Sequence, residues 1–288
     1  MSILLEKVTY VYQSGTPWQK TALCDVSLAI KKGDCVGIMG RAGAGKSTLL
    51  AVLNGLLKPQ KGRVIVDGID VTSLPAHKMA FLRQKVGLVF QFPEEQFFAP
   101  TVYEEISFAL HNAGFTRGEV ERRVKDAMDK VGLDYASFKE RSLYTLSSGE
   151  KRRVGLATVL ALKPQYLLLD EPTAALDYEG REKIYAIIRE ANKRGTTVII
   201  VAHNLEHLAN VCNRIIILEE GRVALDLQLE ELALYAEEME RLGIYPPFHH
   251  QVVHKLQKKG LDINIYIKTR EEAACAVKKL FPSLQEGE

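Results

Sequence analysis

The octapeptide Gly40-Arg41-Ala42-Gly43-Ala44-Gly45-Lys46-Ser47 constrains the fold more than any other segment of the chain. It fits G-x-x-x-x-G-K-[ST], a loop whose glycines let the backbone wrap a polyphosphate so that successive N–H groups point inward. Such a loop belongs between a buried strand and a helix N-terminus, because the helix end favours an anion. Both flanks are present. Cys35-Val36-Gly37-Ile38-Met39 reads as a short buried strand, and Ser47 to Leu57 reads as a helix. Lys46 would reach the β- and γ-phosphates, and the Ser47 hydroxyl would hold Mg²⁺.

The rest of the chain supplies a sheet for that loop. Residues 2 to 30 alternate apolar and polar side chains, the pattern of antiparallel strands. Arg63 to Val71 alternates again around Asp67-Gly68, which predicts a hairpin. Val86–Phe90, Tyr166–Leu169, Val198–Ala202 and Arg214–Leu218 are short apolar runs of strand length. Helical segments from Tyr178 to Arg194 and from Arg117 to Val131 lie among them, so the alternation predicts a parallel sheet covered by helices. Residues 92 to 160 read as an inserted helical subdomain. Beyond Gly221 the pattern weakens: Leu229 to Leu242 looks helical, His254 to Lys259 looks like a helix end, and Thr269 with Glu272 opens a helix to Leu280 as a capping box. A small C-terminal appendage is expected over 226–288, after a main unit of 1–225.

Composition excludes several classes. With 288 residues and an apolar share of 47%, the chain is globular and too apolar for disorder. A net charge of +2 gives no electrostatic case for nucleic acid or anionic lipid. The cluster Lys151-Arg152-Arg153 is too short to make one and reads as a solvated helix face. Cys24, Cys35, Cys212 and Cys275 show no CxxC spacing, which argues against a metal or disulfide framework and for a reducing compartment. No secretory signal or membrane-spanning run is found in the sequence.

Four further segments gather around the phosphate loop. Leu167-Leu168-Leu169-Asp170-Glu171-Pro172 sets two carboxylates at the end of a buried strand, where open α/β sheets hold their ligands. Asp170 there suits Mg²⁺, and Glu171 suits polarising a water molecule. Gln91 and His203 end neighbouring strands and would share that sheet edge. Leu146-Ser147-Ser148-Gly149-Glu150 opens a helix and is a second anion site. The helical insert keeps this site from the phosphate loop of its own chain. Two chains arranged head to tail would bring them together on one nucleotide, which predicts a dimer with ATP at its interface.

These segments, with Ala174-Ala175-Leu176-Asp177, occur in the order of the ATP-binding cassette ATPases, which the chain resembles over residues 1 to about 225. The resemblance implies an α/β P-loop NTPase fold with a RecA-like parallel core and an N-terminal antiparallel β subdomain. It also implies that Tyr12 stacks on adenine and that Gly40, Arg41, Ala42, Gly43, Ala44, Gly45, Lys46, Ser47 and Thr48 cradle the phosphates. Ser147, Ser148, Gly149, Glu150 and Asp177 would complete the site from the partner. Glu171, His203 and Gln91 would be catalytic, and Ser47, Gln91 and Asp170 would hold Mg²⁺. Tyr12–Trp18 and Val89–Phe98, including Phe92-Pro93-Glu94-Glu95-Gln96, resemble more narrowly the energy-coupling factor transporters, importers of vitamins and transition-metal ions, and the second of their two paired ATPases. That likeness implies a second ATPase subunit, a membrane scaffold and a membrane substrate-binding subunit as partners, a dimerising C-terminal extension, and a place on the cytoplasmic face of the membrane. Glu94 and Glu95 would pair with arginines of the scaffold.

Three positions depart from the cassette pattern. Ser148 and Glu150 replace a glycine and a glutamine of Leu-Ser-Gly-Gly-Gln, which adds a Cβ and a negative charge beside the phosphate. Asn204 replaces the aspartate that commonly follows the switch histidine. Two other functions fit the sequence less well. A conventional ABC transporter ATPase seldom combines FPxxQ with this tail. The soluble ABC proteins of DNA repair carry coiled coils, zinc modules or two cassettes, none of which this chain has.

Overall fold

The structure, a computed structural model, describes residues 2–280. The opening alternation folds as β1 (Ser2–Tyr12) and β2 (Lys20–Lys31), antiparallel in the register Ile3↔Ile30, Leu5↔Leu28 and Val8↔Val26. All six of these side chains are buried, so one face of the pair meets the core. β3 (Cys35–Met39) is buried at every residue, and the phosphate loop leads from it into α1 (Lys46–Leu53). The helix stops four residues short of the expected Leu57. Gly55 takes a left-handed φ of 71° just past the C-cap Asn54, which ends the helical ladder.

β4 (Lys61–Val66) and β5 (Ile69–Asp70) form the expected hairpin. Asp67 and Gly68 both have positive φ, 50° and 81°, as a tight hairpin turn of this twist needs. With β1 and β2 these strands make a sheet of order β2-β1-β4-β5. α2 (Ala76–Lys85) follows and buries only Met79 and Leu82. Two apolar contacts give too faint a periodicity to read from sequence. β6 (Val86–Val89) then leads into the helical subdomain: α3 (Val102–Asn112), α4 (Arg117–Lys130), the short α5 (Tyr135–Phe138) and α6 (Ser148–Ala161).

The second sheet takes β7 (Tyr166–Asp170), β8 (Thr197–Val201), β9 (Arg214–Glu219) and β10 (Arg222–Gln228), with α7 (Tyr178–Lys193) and α8 (Leu205–Ala209) between them. Its order is β10-β9-β3-β8-β7-β6, parallel except for β10. Alternate residues face different layers. Val36, Ile38, Leu168, Ile199 and Val201 pack with α1 and the antiparallel sheet, whereas Leu167, Leu169, Val198, Ile200 and Ile215 pack with the helical subdomain. Covering on both faces is why these strands read as continuous apolar runs.

The tail differs from expectation in two places. The Leu229–Leu242 segment is one 3₁₀ turn, Leu229–Glu231, and then α9 (Ala236–Arg241). The break lets Leu229 and Leu232 enter the main core while Ala233 enters a separate one. The strand β10 also runs through residue 228, across the expected division after residue 225. α10 (Phe248–Lys258) and α11 (Arg270–Leu280) complete the tail around Val253, Ile263, Ile265, Ile267 and Ala273. At the start of α11 the Thr269 hydroxyl accepts the Glu272 N–H at 3.1 Å, and Glu272 accepts the N–H of Lys268 rather than that of Thr269. His250 is fully buried with Nε2 3.0 Å from the Ile267 carbonyl, and burial pushes its imidazole down to about 4.

Candidate active site

Parallel register brings the loops of four strands to one edge. Ile38 pairs with Val201, Val201 with Asp170, and Leu169 with Val89. The residues that follow these strands (Gly40, Gln91, Glu171 and His203) therefore meet at the carboxyl ends of the sheet.

The phosphate loop is shaped by its neighbours as much as by its sequence. Gly40 has φ 149°, and a Cβ there would lie 2.3 Å from the Leu218 carbonyl oxygen. Gly45 has φ 102°, and a Cβ would lie 2.4 Å from the Ala22 carbonyl oxygen. Only glycine fits between these backbones and the loop. Gly43 is open: a Cβ there would have only the Lys20 ammonium near it, at 4.0 Å. Arg41 and Ala42 are exposed, and Ala44 is buried. Lys46 is 7% exposed and donates to the carbonyls of Gly40 at 2.8 Å and Arg41 at 3.0 Å. Burial pushes its ammonium below the usual lysine range, opposed by the carboxylates of Glu171 and Asp170. Ser47 is exposed at the first turn of α1. The hydroxyls of Thr48 and Tyr12 lie 3.1 Å apart, which fixes Tyr12 beside that turn, and its ring packs edge-on against Tyr10.

Glu171 is the centre of the acidic end. The Gln91 amide donates to its Oε2 at 3.2 Å, and His203 Nε2 lies 2.5 Å from its Oε1. Its backbone has φ 47°, a left-handed value that is uncommon for a residue with a side chain. The Glu171 N–H donates to the Val201 carbonyl at 2.9 Å, which ties this bend to β8. Asp170 is buried at the strand end, 8% exposed. Among the described residues no group of three His, Cys, Asp or Glu side chains is placed to hold a metal. A divalent ion at this edge would have one carboxylate, the Ser47 hydroxyl and the Gln91 amide, a sparse set of hard oxygen donors. Mg²⁺ suits that set, because it commonly takes its remaining ligands from substrate phosphates and water.

The second group stands apart. Ser147 is the N-cap of α6: its hydroxyl accepts the Glu150 N–H at 3.2 Å, and Glu150 accepts the Ser147 N–H at 2.7 Å. The other Glu150 oxygen accepts from Arg141 at 3.1 Å, so the expected extra negative charge is already paired. Ser148 begins the helix, and a Cβ at Gly149 would meet nothing within 4 Å. Asp177 caps α7 by accepting the Gly180 N–H at 2.8 Å. Ser147, Gly149, Glu150 and Asp177 share a cleft of about 130 Å³ with Arg153 and Lys183. Among the described residues no hydrogen bond or ion pair joins this cleft to Lys46, Glu171, Gln91 or His203. Asn204 caps α8, accepting from the His207 N–H at 3.3 Å.

One expectation fails. The Lys151-Arg152-Arg153 cluster is not a solvated face. Arg152 is 3% exposed, and Arg153 donates to the Gly132 carbonyl at 2.7 Å. Of the two acids expected to meet an outside partner, Glu95 is exposed, whereas Glu94 is half-buried with Oε1 3.9 Å from Arg152. Sequence reasoning also missed Lys20 beside Gly43, and Glu105, whose carboxylate accepts the N–H groups of Phe98 and Ala99 at 3.2 and 3.1 Å. A buried glutamate on an apolar helix face was the available signal for the second. Lys20 carried none, since its neighbour is far off in sequence.

The chain is similar to known proteins in sequence and in fold. A sequence profile of the ABC transporter family matches residues 23–174, more than half of the chain. The energy-coupling factor transporter ATP-binding protein EcfA2 of Clostridium tetani is 40% identical over 282 residues, 98% of each chain. The solved structure of cbiO1 from Clostridium perfringens, described as part of the ABC transporter complex cbiONQ, superposes with a TM-score of 0.73 at 33% identity, over 87% of this chain and 97% of that one. A dimeric post-hydrolysis structure of the ATP-binding cassette MJ0796 bound to ADP and Pi superposes with a TM-score of 0.71 at 32% identity, over 78% and 98%.

Proposed function

The chain belongs to the ABC transporter family as an ATP-binding cassette, and from that membership we propose that it is the ATPase subunit of an energy-coupling factor type importer for vitamins or transition-metal ions. The observation that carries the catalytic half of this reading is Glu171, held between Gln91 and His203 at the sheet edge that Lys46 shares.

Hydrolysis proceeds by in-line attack of water on the γ-phosphate. Glu171 orients that water and takes its proton, and its amide and imidazole neighbours fix the carboxylate for the purpose. Lys46 and the loop N–H groups from Gly40 to Thr48 stabilise charge developing on the phosphate oxygens. His203 holds the γ-phosphate, and Tyr12 offers its exposed ring to adenine. Ser47, Gln91 and Asp170 are the residues that would hold Mg²⁺, which when bound supplies charge neutralisation on the phosphates.

Ser147, Ser148, Gly149, Glu150 and Asp177 serve the partner's nucleotide, in a head-to-tail dimer with a second ATPase. Residues 1–225 act as the cassette, with 92–160 as its helical subdomain; the end of β10 and Leu229, Leu232, Met239 and Ile244 complete its core, and the rest of 226–288 acts as an extension that strengthens association. Residues 281–288 of that extension lie outside the described residues. Among the described residues no helix is long and apolar enough to cross a membrane. The protein works at the cytoplasmic face through a membrane scaffold and a membrane substrate-binding subunit. Nucleic acid has no part in this reading.

Affinity purification of the tagged chain from detergent-solubilised membranes tests the assignment. Mass spectrometry should identify a paralogous ATPase, a membrane scaffold and a small membrane substrate-binding protein. Recovery of only a pair of large multi-span permease subunits would place the chain in a conventional ABC transporter instead.

A further inference from the structure

We propose that Arg152 is a positioning residue that couples three motifs: the segment after Gln91, the helix that Ser147 opens, and the turn between Glu171 and Asp177. This rests on the ATPase reading above. Arg152 Nη2 donates to the Ala174 carbonyl at 3.1 Å, inside that turn. The same nitrogen lies 3.9 Å from Glu94 Oε1, and the guanidinium stands over the Phe92 ring at 5.5 Å. One turn further along α6, a Cβ on Gly155 would lie 2.6 Å from Pro93 Cβ, so helix and Pro93–Gln96 segment are in direct contact.

The cluster is incompletely satisfied. Among the described residues Arg152 Nε and Nη1 and Glu94 Oε2 are buried with no hydrogen-bond partner. A guanidinium is a planar fork of five donors that matches both oxygens of a carboxylate, and unpaired buried donors and acceptors are costly. Pro93 already abuts Gly155, so it is the Glu94 side chain that would move: closing its 3.9 Å separation by about 1 Å brings it to ordinary charge-assisted distance from the guanidinium. The group thus has a second, better-paired arrangement within reach. Moving between the two alters the grip on Ala174, next to Ala175 at φ 59° and close before Asp177. The position of the Gln91 segment is thereby passed to both motifs that serve the partner's nucleotide. A simple packing arginine would brace α6 without that dependence.

The test is a mutant cycle in the full-length chain assembled with the proteins that copurify with it: Arg152→Met, Glu94→Gln, the double variant and Arg152→Lys, each measured for nucleotide affinity, kcat and KM. Expected are nucleotide affinity within twofold of the parent throughout, and a tenfold or greater fall in kcat at constant KM in each single variant. The double variant should be no worse than the poorer single. Arg152→Lys, which keeps charge and loses the fork, should recover less than a third of the lost kcat. Losses that multiply in the double variant, full activity in Arg152→Lys, or a loss confined to KM would overturn the proposal. If Arg152→Met does not fold, Glu94→Gln and Arg152→Lys decide it: full kcat in either overturns it. A parent complex that hydrolyses no ATP removes the ATPase reading and this proposal together, whereas an active parent complex with multiplying losses removes this proposal alone.

Discussion

Lys46 is 7% exposed among glycines in left-handed backbone, whereas Ser147, assigned to the other half of the proposed nucleotide site, is an exposed helix cap with every local bond made. The first half concentrates what folding alone disfavours: a buried ammonium, a buried carboxylate at Asp170, and a Glu171 backbone at φ 47°. Such features persist where a site demands them. The second half asks nothing unusual of its own chain. Ser147, Glu150 and Asp177 satisfy helix ends that any protein must satisfy. On the proposed reading the Lys46 half is committed to its ligand in a single chain, and the Ser147 half acquires a use only when another chain approaches.

The sharpest break in this contrast is Glu171→Gln. Turnover should fall about 10²–10⁴-fold, the usual range for a lost general base. Phosphate release measures it, while size-exclusion chromatography should still show an ATP-dependent dimer. Lys46→Ala should weaken ATP binding by a hundredfold or more, about 3 kcal/mol for lost charge-assisted bonds, as read by nucleotide displacement on the single chain. Ser147→Ala should leave that single-chain affinity intact. It should cost about 1 kcal/mol of stability through the lost cap and reduce ATP-dependent dimerisation. If it weakened nucleotide binding by the lone chain as much as Lys46→Ala does, the division into two halves would be wrong.

The smallest effect belongs to Glu150→Gln. The capping pattern survives with glutamine, so only the charge is lost, about 0.3–1 kcal/mol. Burial raises the Glu150 carboxyl, and bonds from Ser147 and Arg141 outweigh it, so its pKa lies below the ordinary 4.5. A depressed folded-state value means that the group stabilises fully above 4.5 and loses that contribution as pH falls through the lower value. Thermal unfolding between pH 3 and 7 should show this acid limb in the parent and a shallower one in Glu150→Gln.

What could be read in advance followed the same division. The Lys46 half was legible because its constraints are local: Gly40 and Gly45 stand at fixed spacing, and Asp170 ends an apolar run. The parallel sheet was legible from strands buried on both faces. The helix α2 was not, because it buries only Met79 and Leu82. Arg152 was hidden by its neighbours Lys151 and Arg153, since three cations in a row look solvated whatever the middle one touches. Its contacts with Ala174 and Glu94 are set by tertiary packing between α6 and segments distant in sequence. The same blindness hid the half-buried place of Glu94.

The strand β10 makes the tail hard to exchange. It pairs with β9 down to Gln228↔Arg214, and the Leu229 N–H then donates to the Asn213 carbonyl at 3.0 Å. Leu232, Met239 and Ile244 go on to fill the main core, and Gly243 lies against the Arg41 guanidinium, 3.3 Å from where its Cβ would stand. A chimaera that swaps C-terminal extensions between paired ATPases would need its crossover beyond Ile244. A splice at 225 would interrupt a strand midway and unseat residues that belong to the engine rather than to the coupling.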